Sequence, residues 1–407
     1  MSEDEKILAC VDLGSSKTVA LIARVFYSDE VELIGMGISP SRGIKSGAVT
    51  NIEQTVQSIK EAVDEAELMA GVEIDAAIIN VSGKHVKGDN SSGVIAITNK
   101  DRIVAQQDIY RAIDAAQNVR IPADQEILHV LSREFKVDDQ PNIKDPTGMV
   151  GVRLECDVHI VTGSTTHIQN TDRSVHEAGI HVSDRVLSSL ASSQGLLTEG
   201  EKELGVAIVD IGAGVIDVII YVDGGVAYSS TICIGSQHVT QDISIGLKTP
   251  VEAAELLKKR QGHCIASEID PMEQIEVPSV GDRPPRMIPR KDLAEIMEAR
   301  MREILELIDH EIIKSGRKNI LAGGIIFTGG GAMAGGLIPL AEEVIQLGAS
   351  VGYPKGLLGI SDKVTSPIFA TSVGLIHYGA RYGSTEGERK SGTKFLTRVK
   401  AWLQENL

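Results

Sequence analysis

The chain has 407 residues, 42% of them hydrophobic and 24% charged, and a formal net charge of −16. This composition predicts a soluble globular protein of roughly two to four subdomains. The negative charge argues against nucleic acid as a partner, because such binding needs a basic surface. The acidic start, Met1–Lys6, does not fit a secretion signal, and no apolar run reaches the roughly 18 residues that a membrane-spanning helix needs. The four cysteines are widely spaced, which favours reduced thiols in a cytosolic protein over disulfides or a metal site.

The first part of the chain predicts strands around a helix. A short apolar run ends in a carboxylate and a glycine at Asp12 and Gly14, and a second run follows from Thr18 to Phe26. Together they predict a strand, a tight turn and a returning strand. Helical apolar spacing predicts a helix over residues 51–70, and residues 74–82 predict the next strand.

The middle segment, from about residue 83 to residue 157, differs in composition. It is rich in Asp, Asn and Lys, its apolar runs are short, and a helix is predicted around Asp108–Val119. We interpret this segment as an inserted subdomain, and the apolar run His159–Thr162 as the return of the chain to the first core.

The second half repeats the opening pattern. Within Gly205–Tyr221 a carboxylate and glycines, Asp210 to Gly214, again stand between two apolar runs. A third apolar run enters a glycine turn within Gly323–Ala332, and a further helix is predicted after it.

Two helices are predicted between the last two glycine turns. They cover Val251–Gln261 and Lys291–Ser315, and the proline-containing stretch Gly262–Pro289 between them is expected to be largely irregular. Residues 383–392 are polar and predict a flexible linker.

The three glycine turns suit phosphate binding. A lone Asp-x-Gly has little value, but two at matching turns and a third glycine turn after a late strand form a specific pattern. Glycine and serine let backbone N–H groups approach phosphate oxygens. We expect Asp12 and Asp210 to lie on either side of the phosphates and to hold a water-coordinated Mg²⁺, and Lys17, Ser15 and Ser16 to reach the phosphates. The alternative is that the turns are purely structural and bind no ligand.

The arrangement resembles the fold shared by actin, the Hsp70 chaperones and the sugar kinases, in which two related halves close on ATP. Asp12-Leu-Gly-Ser-Ser-Lys17 resembles the first phosphate motif, Asp210-Ile-Gly-Ala-Gly214 the second, and Thr328-Gly-Gly-Gly-Ala332 the adenosine motif. The resemblance implies that ATP contacts residues of all three turns, namely Asp12, Gly14, Ser15, Ser16, Lys17, Asp210, Gly212, Ala213, Gly214, Gly329, Gly330 and Gly331. Glu255, Lys258 and Lys259 resemble contacts to adenine and ribose, although an ordinary charged helix face has the same appearance.

The second phosphate motif departs from the usual pattern. Val215 and Ile216 stand where threonines are common, so two hydroxyls near the phosphates are missing. We therefore expect a weak or slow ATPase at most, and identify no catalytic base.

Further stretches resemble the FtsA family of bacterial actin-like division proteins. They are Pro40-Ser-Arg-Gly43, Ala66-Glu-Leu-Met69, Val81-Ser-Gly-Lys-His85, residues 145–154 and residues 277–286. This resemblance implies an α/β protein with the actin-like duplicated ATPase fold, two lobes and an FtsA-type inserted subdomain that helps protomers to stack.

The resemblance also implies a division of the chain. The first lobe core takes residues 1–83 and 162–197, and the inserted subdomain takes 84–161. The second lobe core takes 198–233 and 309–382, and residues 234–308 form its small subdomain with the FtsZ-binding surface. Residues 383–392 form a linker, and 393–407 a membrane-binding amphipathic helix.

The helix from Lys291 to Ser315 is the expected docking region for FtsZ, a tubulin-like protein. The resemblance places the carboxyl-terminal tail of FtsZ beside it and carries over Arg290, Lys291, Arg300 and Glu303. Binding such an acidic, apolar tail needs cations beside an apolar groove. For any single residue, an ordinary solvated helix face is the alternative.

Residues 393–407 predict a short amphipathic helix. Its large apolar side chains fall within an arc of about 140°, and cations border the arc on both sides. Such a helix lies on a membrane without spanning it; the alternative is that it packs on the protein itself. The apolar residues are Phe395, Leu396, Val399, Trp402, Leu403 and Leu407, and the cations are Lys394, Arg398 and Lys400.

Together these features favour an ATP-regulated adaptor on the cytoplasmic face of the inner membrane at the division site. The expected ligands are ATP and Mg²⁺. The expected partners are FtsZ, other division proteins, further copies of the chain in actin-like filaments, and anionic lipids. The alternatives are a small-molecule kinase and a chaperone or pilus-assembly scaffold of the same superfamily, neither of which predicts an amphipathic tail.

Overall fold

The computed structural model describes residues 5–26, 30–281 and 283–382. A six-stranded, a four-stranded and a five-stranded sheet organise these residues, with helices packed against them. This is the predicted α/β architecture with two related lobes and an insertion. The linker at 383–392 and the amphipathic segment at 393–407 lie outside the described residues. Within the described ranges, no helix combines the length and apolar character needed to cross a bilayer.

The first lobe opens with the predicted hairpin. Its elements are β1 (Glu5–Leu13), β2 (Lys17–Phe26), β3 (Val31–Pro40), β4 (Ile44–Lys45), β5 (Ala48–Val49), α1 (Ile52–Ala70) and β6 (Ala76–Val81). Strands β1, β2 and β3 are antiparallel neighbours, and β6 lies parallel to β1. The Asn51 side chain caps α1, and Gly71 ends it in a left-handed conformation. The predicted helix over 51–70 is confirmed.

Helix α1 lies unusually close to the first sheet. A Cβ placed on Gly37 of β3 would lie 1.9 Å from the Ala62 carbonyl oxygen, so only glycine permits this contact. The buried face of α1, which includes Ile59 and Val63, covers the sheet at that point.

The inserted segment forms a separate four-stranded sheet. Its elements are β7 (Lys87–Ala96), α2 (Gln106–Gln117), β8 (Gln125–Val137), β9 (Gln140–Ile143) and β10 (Arg153–Ser164), with strand order β7-β10-β8-β9. His159–Thr162, interpreted as the return to the first core, lie within β10 and pair with both β7 and β8. Ile160 packs in the core shared with α2, whereas Val161 packs in the cluster that contains Leu8 and Leu21 of the first lobe. The run is therefore shared between the inserted sheet and the first core.

The chain returns to the first lobe after β10. Helix α3 (Thr165–Glu177) precedes β11 (His181–Leu187), which extends the first sheet in parallel beside β6. Helices α4 (Ser188–Leu196) and α5 (Glu199–Leu204) then lead to the second lobe.

The second lobe repeats the opening hairpin. Its elements are β12 (Val206–Ile211), β13 (Ile216–Val222), β14 (Gly225–Ile232), α6 (Ser236–Gly246), α7 (Val251–Gln261), β15 (Gln274–Val277), β16 (Arg286–Pro289), α8 (Arg290–Lys314), β17 (Ile325–Thr328), α9 (Leu337–Ile345) and β18 (Ala349–Val351). The sheet order is β14-β13-β12-β17-β18. Helix α7 has the predicted bounds and α8 begins one residue early. The stretch 262–289 is less irregular than expected, because β15 and β16 pair within it.

The last elements belong to the first lobe. Strand β19 (Leu358–Gly359) pairs with β3, and α10 (Ala370–Tyr382) packs on α4 and β1. The predicted division had placed all of 309–382 in the second lobe. The structure differs because Gly379 of α10 lies against Leu8 and Ile78 of the first sheet. Short 3-10 turns occupy Ala266–Glu268, Lys318–Ile320, Gly330–Met333, Ser361–Val364 and Pro367–Phe369.

Candidate nucleotide site

The first two glycine turns have the same backbone geometry. In the β1–β2 turn the Gly14 N–H donates to the Lys17 carbonyl at 3.1 Å, and in the β12–β13 turn the Gly212 N–H donates to the Val215 carbonyl at 3.0 Å. The glycine that opens each turn comes two residues after an aspartate, Asp12 in the first turn and Asp210 in the second. The duplicated pattern in the sequence is therefore a duplicated structure.

Hydroxyl groups from two neighbouring helices hold the two carboxylates. Ser372 Oγ on α10 donates to Asp12 Oδ2 at 2.7 Å. Ser192 Oγ on α4 and Thr371 Oγ1 on α10 donate to Asp210 Oδ2 at 2.9 and 3.1 Å. Helices α4 and α10 thus set the positions of both acids.

Lys17 lies between these acids and the chain before α10. Its Nζ donates to the Ile368 carbonyl at 2.5 Å and stands 4.1 Å from the centroid of the Phe369 ring. Burial lowers the pKa of Lys17 to about 8, against the opposing effect of Asp12 and Asp210. A buried ammonium group here suits a phosphate, which would add negative charge beside it.

Burial also perturbs both carboxylates. It raises the pKa of Asp12 to about 6, although Ser372 and Lys17 act in the opposite direction, and Asp210 adds a further increase. Burial likewise raises the pKa of Asp210. Two desolvated acids beside one ammonium form a site that a cation would stabilise. No group of three or more His, Cys, Asp and Glu side chains forms a metal-binding cluster among the described residues. Carboxylate oxygens are ligands that Mg²⁺ accepts, and a site with only two carboxylates leaves room for water and phosphate oxygens.

The third glycine turn packs directly on the second. A Cβ on Gly329, whose φ is +80°, would lie 2.2 Å from Asp210 Oδ1, and one on Gly331 would lie 2.2 Å from the Ile211 side chain. Only glycine fits at these two positions. Gly330 lies between them with more space, since its nearest contact would be 3.8 Å away.

The first and second turns also touch each other. A Cβ on Gly214 would lie 2.9 Å from Ser15 Oγ. The same hydroxyl accepts a hydrogen bond from the Gly47 N–H at 3.2 Å, so the β4–β5 hairpin lies beside both turns. Ser16, by contrast, is exposed. The three predicted glycine turns therefore lie next to one another.

Glu255, Lys258 and Lys259 form a network with α6. Lys258 Nζ lies 2.6 Å from Glu255 Oε2 and donates to the Ser236 carbonyl at 3.1 Å, and Lys259 pairs with the other oxygen of Glu255 at 3.1 Å. Burial raises the pKa of Glu255, but hydrogen bonds from Lys258 and Thr240 outweigh it and hold the pKa at about 2. Burial lowers the pKa of Lys258.

Two backbone contacts connect this network to the turns. The Ser236 N–H donates to the Gly212 carbonyl at 2.9 Å, and the Cys264 N–H, just beyond α7, donates to the Gly335 carbonyl at 2.7 Å. The predicted adenine-side helix is therefore adjacent to the second and third turns, but its three charged side chains are already paired within the protein.

The four positions expected to bind FtsZ divide into two groups. Arg300 pairs with Asp242 of α6 at 2.5 Å and with Glu303 at 2.5 Å. Arg290 instead pairs with Glu273 at 3.0 Å, and Lys291 lies near Glu295 beside a shallow cavity. The structure therefore brings Arg300 and Glu303 together, and places Arg290 and Lys291 at the start of α8.

Sequence reasoning missed a third buried acid, Asp217. It is the direct strand partner of Asp210 in the β12–β13 hairpin, and it accepts hydrogen bonds from Ser82 and Thr231. Burial raises the pKa of Asp217 to about 7, and the charges of Asp210 and Asp12 raise it further, against those two hydrogen bonds. The available signal was a charged residue within an otherwise apolar strand.

Sequence reasoning also missed the hydroxyls of Ser192, Thr371 and Ser372. The signal for α4 was its composition, because four serines occupy residues 188–193 and all four are buried. No pattern in the sequence around Thr371 or Ser372 indicated that their hydroxyls would hold the carboxylates.

Comparison with known proteins places the chain in a family. A family model described as cell division protein FtsA matches residues 207–374, and one described as the SHS2 domain inserted in FtsA matches residues 83–162. The cell division protein FtsA of Pseudomonas aeruginosa is 42% identical over 98% of both chains. The FtsA of Escherichia coli K12 is 36% identical over 99% of this chain and 98% of its own, and that of Bacillus subtilis is 36% identical over 96% and 87%.

Solved structures with low sequence identity share the fold. A PilM-PilN type IV pilus biogenesis complex has a TM-score of 0.67 at 13% identity, covering 92% of this chain and 98% of the other. MreB5 of Spiroplasma citri bound to ADP has a TM-score of 0.54 at 13% identity, covering 92% and 96%. These likenesses show the actin-like ATPase fold. The full-length identity to FtsA proteins and the two family matches go further: the chain belongs to the FtsA family of cell division proteins.

Proposed function

We propose that this division protein binds ATP with Mg²⁺ and acts as a peripheral membrane adaptor. In this role it polymerises on the cytoplasmic face of the inner membrane, anchors FtsZ filaments there and recruits other septal proteins. The observation that carries the proposal is the convergence of three glycine turns on Asp12, Lys17 and Asp210. MreB5 structures of the same fold were solved with ADP and with AMPPNP, which supports an adenine nucleotide as the ligand.

The residues of the cleft divide the work of holding the nucleotide. Lys17 and the backbone N–H groups of the first two turns bind phosphate, Asp12 and Asp210 hold Mg²⁺ through water, and the third turn with α7 bounds the adenosine. When bound, Mg²⁺ neutralises phosphate charge. Turnover is slow in this proposal for two reasons. Val215 and Ile216 are buried apolar residues. The carboxylate of Asp217 already accepts hydrogen bonds from the hydroxyls of Ser82 and Thr231.

The membrane part of the proposal rests on residues 393–407, which lie outside the described residues. Their apolar stripe suits partial burial in a bilayer, and nearby cations each add about 1 kcal/mol at an anionic surface. A single copy should bind reversibly. A filament multiplies the attachment, so assembly and membrane residence reinforce each other.

The fluorescence of Trp402, the only tryptophan in the chain, tests this membrane proposal. Anionic vesicles with Mg·ATP should shift its emission to the blue, and deleting 393–407 should abolish vesicle binding. Leu403→Glu should remove the shift, whereas Thr397→Glu, which adds the same charge on the opposite face of the helix, should retain it. An unshifted spectrum under every nucleotide condition, or equal effects of the two variants, would contradict membrane insertion.

A sedimentation arm of the same experiment tests the link to FtsZ. FtsZ should pellet with vesicles only when this protein is present. Arg300→Glu should reduce that recovery, while Lys314→Glu should not, because Lys314 lies at the carboxyl-terminal end of α8 and pairs there with Glu311. Steady-state turnover that depends on a small-molecule acceptor would instead favour the kinase alternative.

A further inference from the structure

Ser82 makes a hydrogen bond that crosses from the first lobe to the second. It directly follows β6 of the first lobe, and its Oγ lies 2.8 and 2.7 Å from Oδ1 and Oδ2 of Asp217 in β13 of the second. Both side chains are buried, with 8% of Ser82 and 5% of Asp217 exposed. The contact therefore replaces hydration of the carboxylate, and opening the lobes would leave Asp217 without this donor.

A second hydroxyl holds the same carboxylate from within the second lobe. Thr231 Oγ1 donates to Asp217 Oδ1 at 2.6 Å, and Thr231 is the strand partner of Asp217 in the β13–β14 pair. This bond crosses no lobe boundary. The two hydroxyls are thus chemically alike and differ in which lobe supplies them.

The hydrogen bond between Ser82 and Asp217 is connected to each of the first two glycine turns through one further residue. On one side, Asp217 pairs in register with Asp210. On the other, a Cβ on Gly47 would lie 2.9 Å from the Ser82 carbonyl, and the Gly47 N–H donates to Ser15 Oγ at 3.2 Å. Movement of Ser82 relative to Asp217 therefore moves the first turn relative to the second.

A native thiol stands at the same junction. Lys84 lies two residues after Ser82, and Cys233 lies two residues after Thr231. Burial raises the pKa of Cys233, whereas the charge of Lys84 and a hydrogen bond from the Lys84 backbone lower it. Cys233 is exposed, whereas Cys10, Cys156 and Cys264 are buried. The reactivity of Cys233 consequently reports whether the two lobes are in contact here.

We propose that Ser82 is a positioning residue whose bond to Asp217 latches the lobes at the separation at which both phosphate turns contact one nucleotide. This inference rests on the proposed binding of ATP. It assigns to Ser82 a role in affinity without any contact between its side chain and the ligand.

The test compares Ser82→Ala with Thr231→Val in the full-length chain. Each variant removes one hydroxyl donor from Asp217, but only the first removes a cross-lobe bond. Affinity for Mg·ATP should fall about tenfold in Ser82→Ala, as expected for a hydrogen bond to a charged group, and by no more than about twofold in Thr231→Val. Ser82→Thr, which keeps the hydroxyl, should restore affinity.

The labelling rate of Cys233 by a thiol reagent supplies a second readout. Mg·ATP should slow labelling of the wild type and of Thr231→Val, but not of Ser82→Ala. Without nucleotide, Ser82→Ala should label faster than Thr231→Val. Equal affinity losses and equal labelling rates in the two variants would overturn the latch. If the wild type binds no ATP, the proposed function fails, while the labelling rates without nucleotide still decide whether Ser82 holds the lobes together.

Discussion

The carboxylate of Asp12 is held in place at a cost to folding. Burial and the charge of Asp210 keep its pKa at about 6, above the unfolded value of 3.8, despite the hydrogen bond from Ser372. A carboxyl group whose pKa is higher in the folded than in the unfolded state destabilises the folded protein. The penalty is complete when the pH is above the folded pKa, and it disappears as the pH falls below the unfolded pKa.

Asp12→Asn should therefore stabilise the protein without nucleotide and weaken its binding of Mg·ATP. The gain in unfolding free energy should reach up to about 3 kcal/mol at pH 8 and vanish toward pH 4, since one pKa unit corresponds to about 1.4 kcal/mol. Urea unfolding at both pH values, with and without Mg·ATP, measures the effect. Asp139→Asn, at a fully exposed side chain, should change neither quantity. A variant that is less stable at pH 8 would show that the charge of Asp12 contributes favourably.

Sequence reasoning identified Asp12, Lys17 and Asp210 because each belongs to a local pattern of strand, glycine turn and strand. It missed the hydroxyls of Ser192 and Ser372, which reach these acids from α4 and α10. Those contacts join residues far apart in the chain, and no short-range pattern encodes them. The roles of the predicted side chains in binding ATP and partners remain predictions.

Helices α4 and α10 form the element that aligns the two acids. They approach closely at Gly374, where a Cβ would lie 1.7 Å from the Ala191 carbonyl oxygen. Because Ser192 lies on one helix and Ser372 on the other, a change in their separation displaces both hydroxyls from the carboxylates.

Gly374→Ala should therefore damage stability and nucleotide binding together. The overpacked contact should cost roughly 1–3 kcal/mol or more of unfolding free energy, and the stabilisation by Mg·ATP should also fall. Gly200→Ala is the matched control, because a Cβ on this helical glycine in α5 would meet nothing within 4 Å and should stabilise by about 0.5–1 kcal/mol. Thermal unfolding with and without Mg·ATP compares them. If Mg·ATP stabilises the Gly374→Ala protein as much as the wild type, the packing of α4 against α10 does not control nucleotide binding.

Elements with strong internal periodicity were predictable, and elements defined by distant partners were less so. Helix α1 follows the apolar spacing of its own sequence, and α7 has the bounds that its own sequence predicts. By contrast, β10 was only partly found, and α10 was assigned to the wrong lobe. Their places depend on pairing with β7 and β8 and on packing against α4 and β1, which is information carried by other segments.

At the scale of the whole molecule, His159 joins the inserted sheet to the second lobe. Its Nδ1 lies 2.7 Å from Asn90 Oδ1 and its Nε2 lies 2.8 Å from Ser229 Oγ of β14. Asn90 also donates to the Ala227 carbonyl at 3.0 Å. Burial lowers the pKa of His159 to about 4, and the charge of Arg133 lowers it further. A neutral imidazole is therefore one of the groups that hold the inserted subdomain against the second lobe.

This interface should weaken in acid. The unfolded chain takes up a proton at His159 near pH 6.5 and the folded protein only near pH 4, so the contribution of this histidine to stability is lost as pH falls between these values. The raised pKa values of Asp12 and Asp217 act with the opposite sign in the same range, but they are common to the wild type and a His159 variant. A comparison between the two proteins isolates the imidazole.

His159→Gln should lower stability at pH 7.5, and its deficit should shrink as pH falls to 4.5. The difference in slope should approach one proton, or about 1.4 kcal/mol per pH unit, between the two pKa values. Urea unfolding at several pH values measures it, and the same substitution at the exposed His310 should leave the slope unchanged. Parallel stability curves for His159→Gln and the wild type would mean that the imidazole takes up its proton without leaving Asn90 and Ser229, and that acid does not loosen the inserted subdomain from the second lobe.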